Sequence, residues 1–230
     1  MSAEAPAAPP TAVATEGDQA SVLSGDPFAQ SANVLAELQS YRYVTVFSFT
    51  GEVDGEPESG SIEMRGAVAG PDRQMATWKD LESGQEFGII RIGDEAWMQE
   101  GETWTSVPTM VADLMAQAVL VFAPSAGWAE LAEGVGTTAT YVGTETVNGI
   151  PARHYTSTYT DWMQAEDVHV EDASGDIWMA EAGYPVRYRF TAIGVDEEGY
   201  RGSALWTMEL SDVNGAVTID APPVTEESAE

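Results

Sequence analysis

Tyr41-Arg42-Tyr43-Val44-Thr45-Val46-Phe47-Ser48-Phe49-Thr50 is the stretch on which the fold turns. β-Branched and aromatic residues fill it, Gly51 closes it, and such side chains suit the pleated surface of a long strand. Alternation puts Tyr41, Tyr43, Phe47 and Phe49 on one face, with Val44 and Val46 on the other. Just upstream, Asp26-Pro27 offers a cap and a first-turn proline, and Phe28, Ala32, Leu35 and Leu38 then fall on one helical face. A helix therefore runs directly into this strand.

Downstream, strand-like segments follow over residues 60–68, 73–80, 85–92, 95–100 and 102–107. Turn signals separate them: Asp54-Gly55, Gly70-Pro71-Asp72, Ser83-Gly84, Gly93-Asp94 and Gly101. Connections this short demand antiparallel pairing, because a parallel pair needs a long crossover. Then the period changes. Ser106 and Pro108 open a helical pattern carrying Met110, Val111, Leu114, Met115, Ala118, Val119 and Phe122, stopped at Pro124, and a second short helix spans 125–133 before Gly134. Strands resume over 137–147, 152–160, 176–180, 184–193, 200–211 and 217–220, with Asn148-Gly149 the strongest hairpin signal. Residues 161–174 have no clear period and read as a loop or an extra edge. The fold class is mainly β (α+β): a single curved antiparallel sheet with an N-terminal helix and a mid-chain helical insertion.

Composition bounds the chemistry. Thirty-eight acidic residues stand against nine Lys plus Arg, a net charge of −29, and Lys79 is the single lysine. That field repels phosphate backbones and anionic lipid surfaces, so no nucleic-acid partner is expected. Solubility in a salty exterior explains such a charge, and so does a cationic partner. Cysteine is absent, which excludes thiol nucleophiles, thiolate metal sites and disulfides. No window approaches the roughly 18 apolar residues of a membrane-spanning helix. Met1-Ser2-Ala3-Glu4 lacks the basic and apolar regions of a signal peptide, so an exported protein would have lost its signal.

Three regions follow. Residues 1–25 read as a disordered tether, able to hold a domain roughly 28 Å from an attachment point. Residues 26–223 form the folded domain, and 224–230 a frayed tail.

Several segments together resemble the bacterial lipoprotein-carrier superfamily of LolA and LolB, and most closely the LppX and LprG type of lipoprotein. They are Leu38-Gln39-Ser40-Tyr41-Arg42-Tyr43, Val147-Asn148-Gly149-Ile150-Pro151-Ala152-Arg153-His154-Tyr155, and Gly175-Asp176-Ile177-Trp178-Met179-Ala180 with Gly183-Tyr184-Pro185-Val186-Arg187. Ser211-Asp212-Val213-Asn214 with Val217-Thr218-Ile219-Asp220-Ala221-Pro222-Pro223 completes the series. The resemblance spans 26–223 and implies a half-open β barrel whose concave face, lidded by helices, shelters acyl chains. It implies an extracytoplasmic, non-enzymatic carrier of lipid or acylated lipoprotein in the cell envelope or periplasm. Membrane association would come through an N-terminal lipid anchor absent from this chain. A monomer without cofactors is expected. The alternative on the same fold is an envelope sensor or protein-interaction module, RseB-like.

Alternation and the helical insertion supply the candidate ligand-binding residues: Tyr43, Phe47, Phe49, Ile62 and Met64 from early strands, Met110, Leu114, Met115 and Phe122 from the insertion, and Trp206 and Met208 from a late strand. An apolar sheet face under a helix is equally the description of an ordinary core, and both readings stand at this point. Sheltering one 16-carbon chain is worth about 12 kcal/mol gross, and a bilayer offers nearly the same. A carrier therefore needs a way to open, and residues 108–122 with 125–133 are the expected movable lid.

Catalytic motifs are missing: no G-x-S-x-G, H-E-x-x-H, P-loop or G-x-G-x-x-G. His154 and His169 have no partner nearby in sequence. Glu166, Asp167, Glu171, Asp172 and Asp176 lack the spacing and central glycine of a calcium loop and read as a solvated acidic loop.

Overall fold

The computed structural model describes residues 28–53, 56–120, 123–158, 168–196 and 201–223. The expected tether and tail, the Asp26-Pro27 helix start and the Asp54-Gly55 turn lie outside them. A first turn at 28–30 leads into α1 (Ser31–Ala36), and Leu35 is fully buried. Eleven strands follow in one antiparallel sheet: β1 (Ser40–Val53), β2 (Glu56–Ala69), β3 (Arg73–Asp80), β4 (Glu86–Ile92), β5 (Glu95–Glu100), β6 (Thr103–Val107), β7 (Thr140–Val147), β8 (Ile150–Thr158), β9 (Val168–Ala180), β10 (Pro185–Asp196) and β11 (Arg201–Ser211). Between β6 and β7 stand α2 (Thr109–Leu120) and α3 (Pro124–Thr138).

The strand order is β6-β5-β4-β3-β2-β1-β11-β10-β9-β8-β7. Two meanders thus meet along one seam, β1 against β11, where Phe47 faces Trp206 and Thr45 faces Met208. β6 and β7 end up as opposite edges, and the helices must carry the chain from one to the other. Laid flat, the edges would be about 48 Å apart at roughly 4.8 Å per strand. Helices of 12 and 15 residues reach only about 18 and 22 Å. The crossing is made because the sheet curls toward the helices. α2 accordingly touches β4 and β5, while α3 touches β8.

Burial shows which face of β1 points inward: Tyr41, Tyr43 and Thr45 are buried, whereas Arg42 between them is exposed. The inner face continues through direct cross-strand partners Trp78, Met64, Thr45, Met208, Tyr188, Ile177 and Tyr155. α3 seals this core. Trp128 stacks on Tyr188 at 5.7 Å, and its indole N–H donates to Ser31 Oγ at 2.7 Å, while the Ser31 hydroxyl donates to the Phe28 carbonyl at 2.6 Å.

Several boundaries differ from the sequence expectation. β1 runs through Gly51 to Val53 and β2 begins at Glu56 instead of 60, because the two strands stay paired, Gly51 with Glu58 and Val53 with Glu56. The second lid helix runs to Thr138 instead of stopping at Gly134, because Val135 is buried in the core it covers. β7 accordingly begins at Thr140, not at 137. The segment expected as a loop or edge is already strand from Val168. Residues 217–220 do not join the sheet; Ile219 instead packs with Ala67, Ile90 and Trp97 on the outer face, and its carbonyl accepts from Arg73 Nη1 at 3.1 Å. The Asn148-Gly149 hairpin forms as expected, with φ of 51° and 81°.

Candidate functional site

The inner face is filled at one end and open at the other. Three cross-strand pairs set its floor: Gly66 opposite Tyr43, Gly60 opposite Phe49 and Gly175 opposite Phe190. A Cβ at these glycines would fall 2.1, 2.5 and 2.3 Å from the facing ring. Each ring therefore lies down over a bare Cα instead of standing up from the sheet. Tyr43, so placed, borders open room beside α2, while Phe190 is packed in the core.

Beyond the edge of α3 that room is a cleft of about 400 Å³ between α2 and strands β1–β4. Its volume lies within the range of about 300–1,000 Å³ typical of small-molecule sites. Tyr41, Tyr43, Val68, Ala76 and Ile89 line the sheet side; Ala112 on α2 and Ala123 just before α3 line the other. Burial pushes the Tyr41 and Tyr43 phenols above the ordinary value, Tyr43 more strongly and with a smaller push from Tyr41. Both rings are neutral at physiological pH, so the cleft floor carries no charge.

The polar groups of the cleft stand at its solvent side. Arg91 Nη1 lies 3.4 Å from an Asp113 carboxylate oxygen, with both side chains about half exposed, and tethers α2 to β4. Arg91 Nε is itself buried and makes no hydrogen bond. Gln74 and Ser125 complete the polar lining.

Seven of the expected ligand-binding residues lie on the inner face, and of these Tyr43 lines the cleft. Ile62, Phe47 and Trp206 are consecutive cross-strand partners and half-buried. Phe49 lies two residues along, also half-buried, and Tyr43, Met64 and Met208 are buried in the core. Met110 and Leu114 stand apart: they lie on the outer side of α2, 79% and 67% exposed, whereas Ala112 is buried against the sheet. Met115 belongs to α2, and Phe122 lies outside the described residues. Ala76, Ile89 and Arg91 were not among the candidates. Short strands of mixed burial gave no alternation strong enough to single them out.

The outer face carries a second constellation that sequence spacing could not show. His154 Nε2 lies 2.9 Å from Asp176 Oδ1 and Nδ1 lies 3.1 Å from Glu145 Oε1. Its ring stacks on Trp178 at 4.4 Å; Trp178 donates to Glu145, and the Arg187 guanidinium sits 5.3 Å from the Trp178 ring centre while bonding Glu209. These side chains form a ladder across β7–β11, joining strands by charge and stacking. Of the acidic residues read as a loop, Glu171 pairs with Arg201 at 3.0 Å on β9, and Glu166 and Asp167 lie outside the described residues. Among the described residues no group of three or more His, Asp or Glu is placed to hold a metal ion.

No family model matches the chain, and no curated protein matches it. Solved structures with a similar chain path include the lipoprotein LppX of Mycobacterium tuberculosis, 19% identical over 84% of this chain and 96% of that one, with a TM-score of 0.42. A LolA superfamily protein from Nitrosomonas europaea is 9% identical over 85% and 93%, with a TM-score of 0.30. A DUF1329 family protein from Desulfovibrio piger is 10% identical over 85% and 96%, with a TM-score of 0.26.

Proposed function

We propose that this chain is a non-enzymatic carrier of the lipoprotein-carrier superfamily, holding the acyl part of a lipid or acylated lipoprotein against the inner face of its sheet. One observation carries the reading: a cleft with an apolar, uncharged floor and polar groups at its mouth opens between α2 and the sheet, where the Tyr43 ring lies flat over Gly66. The half-buried row of Ile62, Phe47 and Trp206 extends the apolar floor beyond the cleft. Arg91 and Gln74 at the mouth suit a polar head left near solvent. α2, whose ion pair to β4 is half-exposed and weak, is the part that moves. On this reading the protein works outside the cytoplasm, in the cell envelope, held to a membrane by an N-terminal lipid anchor.

Native mass spectrometry of the purified chain tests this, together with displacement of a fluorescent fatty acid. Bound lipid, and a loss of probe affinity of about tenfold in Ala76→Phe, which fills the cleft, are expected. A chain free of lipid that also ignores the probe overturns the reading. One feature favours the sensor alternative: edge strand β7 leaves Tyr141 and Val142 47% and 56% exposed, a surface onto which a partner strand could add.

A further inference from the structure

α2 has a second side. Met110 and Leu114, one helical turn apart, are 79% and 67% exposed, and Val111 beside them is 39% exposed. These are three of the six large apolar side chains that stand exposed among the described residues. The sequence around them is equally unusual. From Thr103 to Ala129 the single charged residue is Asp113, in a chain with 38 acidic and nine basic residues and a net charge of −29. Asp113 is itself matched by Arg91. The described outer side of α2, Met110, Val111 and Leu114, is thus apolar and uncharged on an otherwise strongly acidic protein.

We infer that this face docks the protein onto a bilayer surface without net charge. The occupant follows from the charge. A protein at −29 is repelled by anionic lipid within a Debye length of about 8 Å, and a cationic partner would settle on the acidic surface elsewhere, not on the neutral stretch. A neutral bilayer interface opposes neither, and it gains from burying methionine and leucine side chains. The opposite side of the same helix carries Ala112, which lines the cleft. Docking through α2 therefore sets the helix that walls the cleft against the lipid surface. It places on the bilayer the element whose displacement would widen the cleft. The docking surface stands independently of what the cleft holds.

Flotation of the full chain with phosphatidylcholine vesicles, and separately with phosphatidylglycerol vesicles, tests the inference. The wild-type chain is expected to float with phosphatidylcholine and to float less with phosphatidylglycerol, the deficit shrinking as salt is raised. Met110→Asp with Leu114→Asp should lower the floating fraction by about tenfold, and Leu81→Asp, a similarly apolar exposed site elsewhere (47% exposed), should leave it unchanged. Circular dichroism and fatty-acid probe binding, both unchanged in the double variant, show that the fold and the cleft are intact, so a failure of docking is separable from a failure of cargo binding. Absence of flotation by the wild-type chain overturns the inference, as does stronger binding to phosphatidylglycerol or an unaffected double variant. A dimer that the double variant dissolves, without vesicle binding, would show α2 to be a self-association face and overturn it equally.

Discussion

Gly66 lies directly across β2 from Tyr43 on β1, and the tyrosine ring covers the place where a Cβ would be, 2.1 Å from Cζ. The pair sets the depth of the cleft floor. Gly66→Ala should lift the ring into the cleft, lowering stability by about 1–3 kcal/mol and weakening fatty-acid probe binding together. Chemical denaturation and probe titration on the same sample check both effects. A loss of stability without a loss of probe affinity would show that the ring does not form the floor.

Trp128 anchors α3 to α1 and to the sheet through its stacking on Tyr188 and its bond to Ser31. Trp128→Phe keeps an aromatic ring but loses the donor and part of the volume. It should cost about 1–3 kcal/mol, measured by urea unfolding.

Tyr188 is buried with a hydroxyl that makes no hydrogen bond. Removing such a group is close to neutral or stabilising, so Tyr188→Phe should change stability at neutral pH by less than about 1 kcal/mol, toward gain. Alkaline pH separates it further. Burial holds the Tyr188 and Tyr43 phenols above their ordinary value of 10.0, so above that pH the unfolded chain releases protons that the folded chain keeps. Stability is then whole below pH 10 and falls as pH rises beyond it, by about 1.4 kcal/mol per unit for each such tyrosine. Tyr188→Phe should lessen that slope, as read from unfolding curves across alkaline pH.

The Arg91–Asp113 tether joins two half-exposed side chains, a class of pair worth about 0–1 kcal/mol. Asp113→Asn should barely move the melting temperature, yet hydrogen exchange in the first turns of α2 should quicken severalfold while that of β1 and β11 stays fixed. Equal quickening everywhere would mean the pair supports the fold and not the helix alone.

The sheet was legible in sequence wherever alternation and turn residues agreed, as at β1, β2 and the Asn148-Gly149 hairpin. It was not legible at the start of β9. There Asp172 faces Ile193 and Val170 faces Gly194, so Glu171 is an extra residue, a bulge that breaks the period of two and leaves Val170 and Ala173 buried three positions apart. Gly134 read as a helix stop, but burial of Val135 carried α3 past it. Alternation grouped the candidates of β1, β2 and β11 onto shared faces, but which face of β1 points inward came only from burial. The β3 and β4 side of the cleft did not follow from alternation, because curling of the sheet brings those strands to α2. His154 reaches Asp176 from 22 positions away, a distance only strand pairing spans.

The seam between β1 and β11 bears also on how the chain folds. Within each meander, neighbours in sequence are neighbours in space, and short turns suffice to pair them. Thr50 and Ser203, whose hydroxyls meet across the seam, are 153 positions apart. Nearly all the entropy of long-range loop closure therefore falls on one strand pair. The two meanders can assemble separately, and the rate at which the whole molecule forms is set by how often their first and last strands find each other.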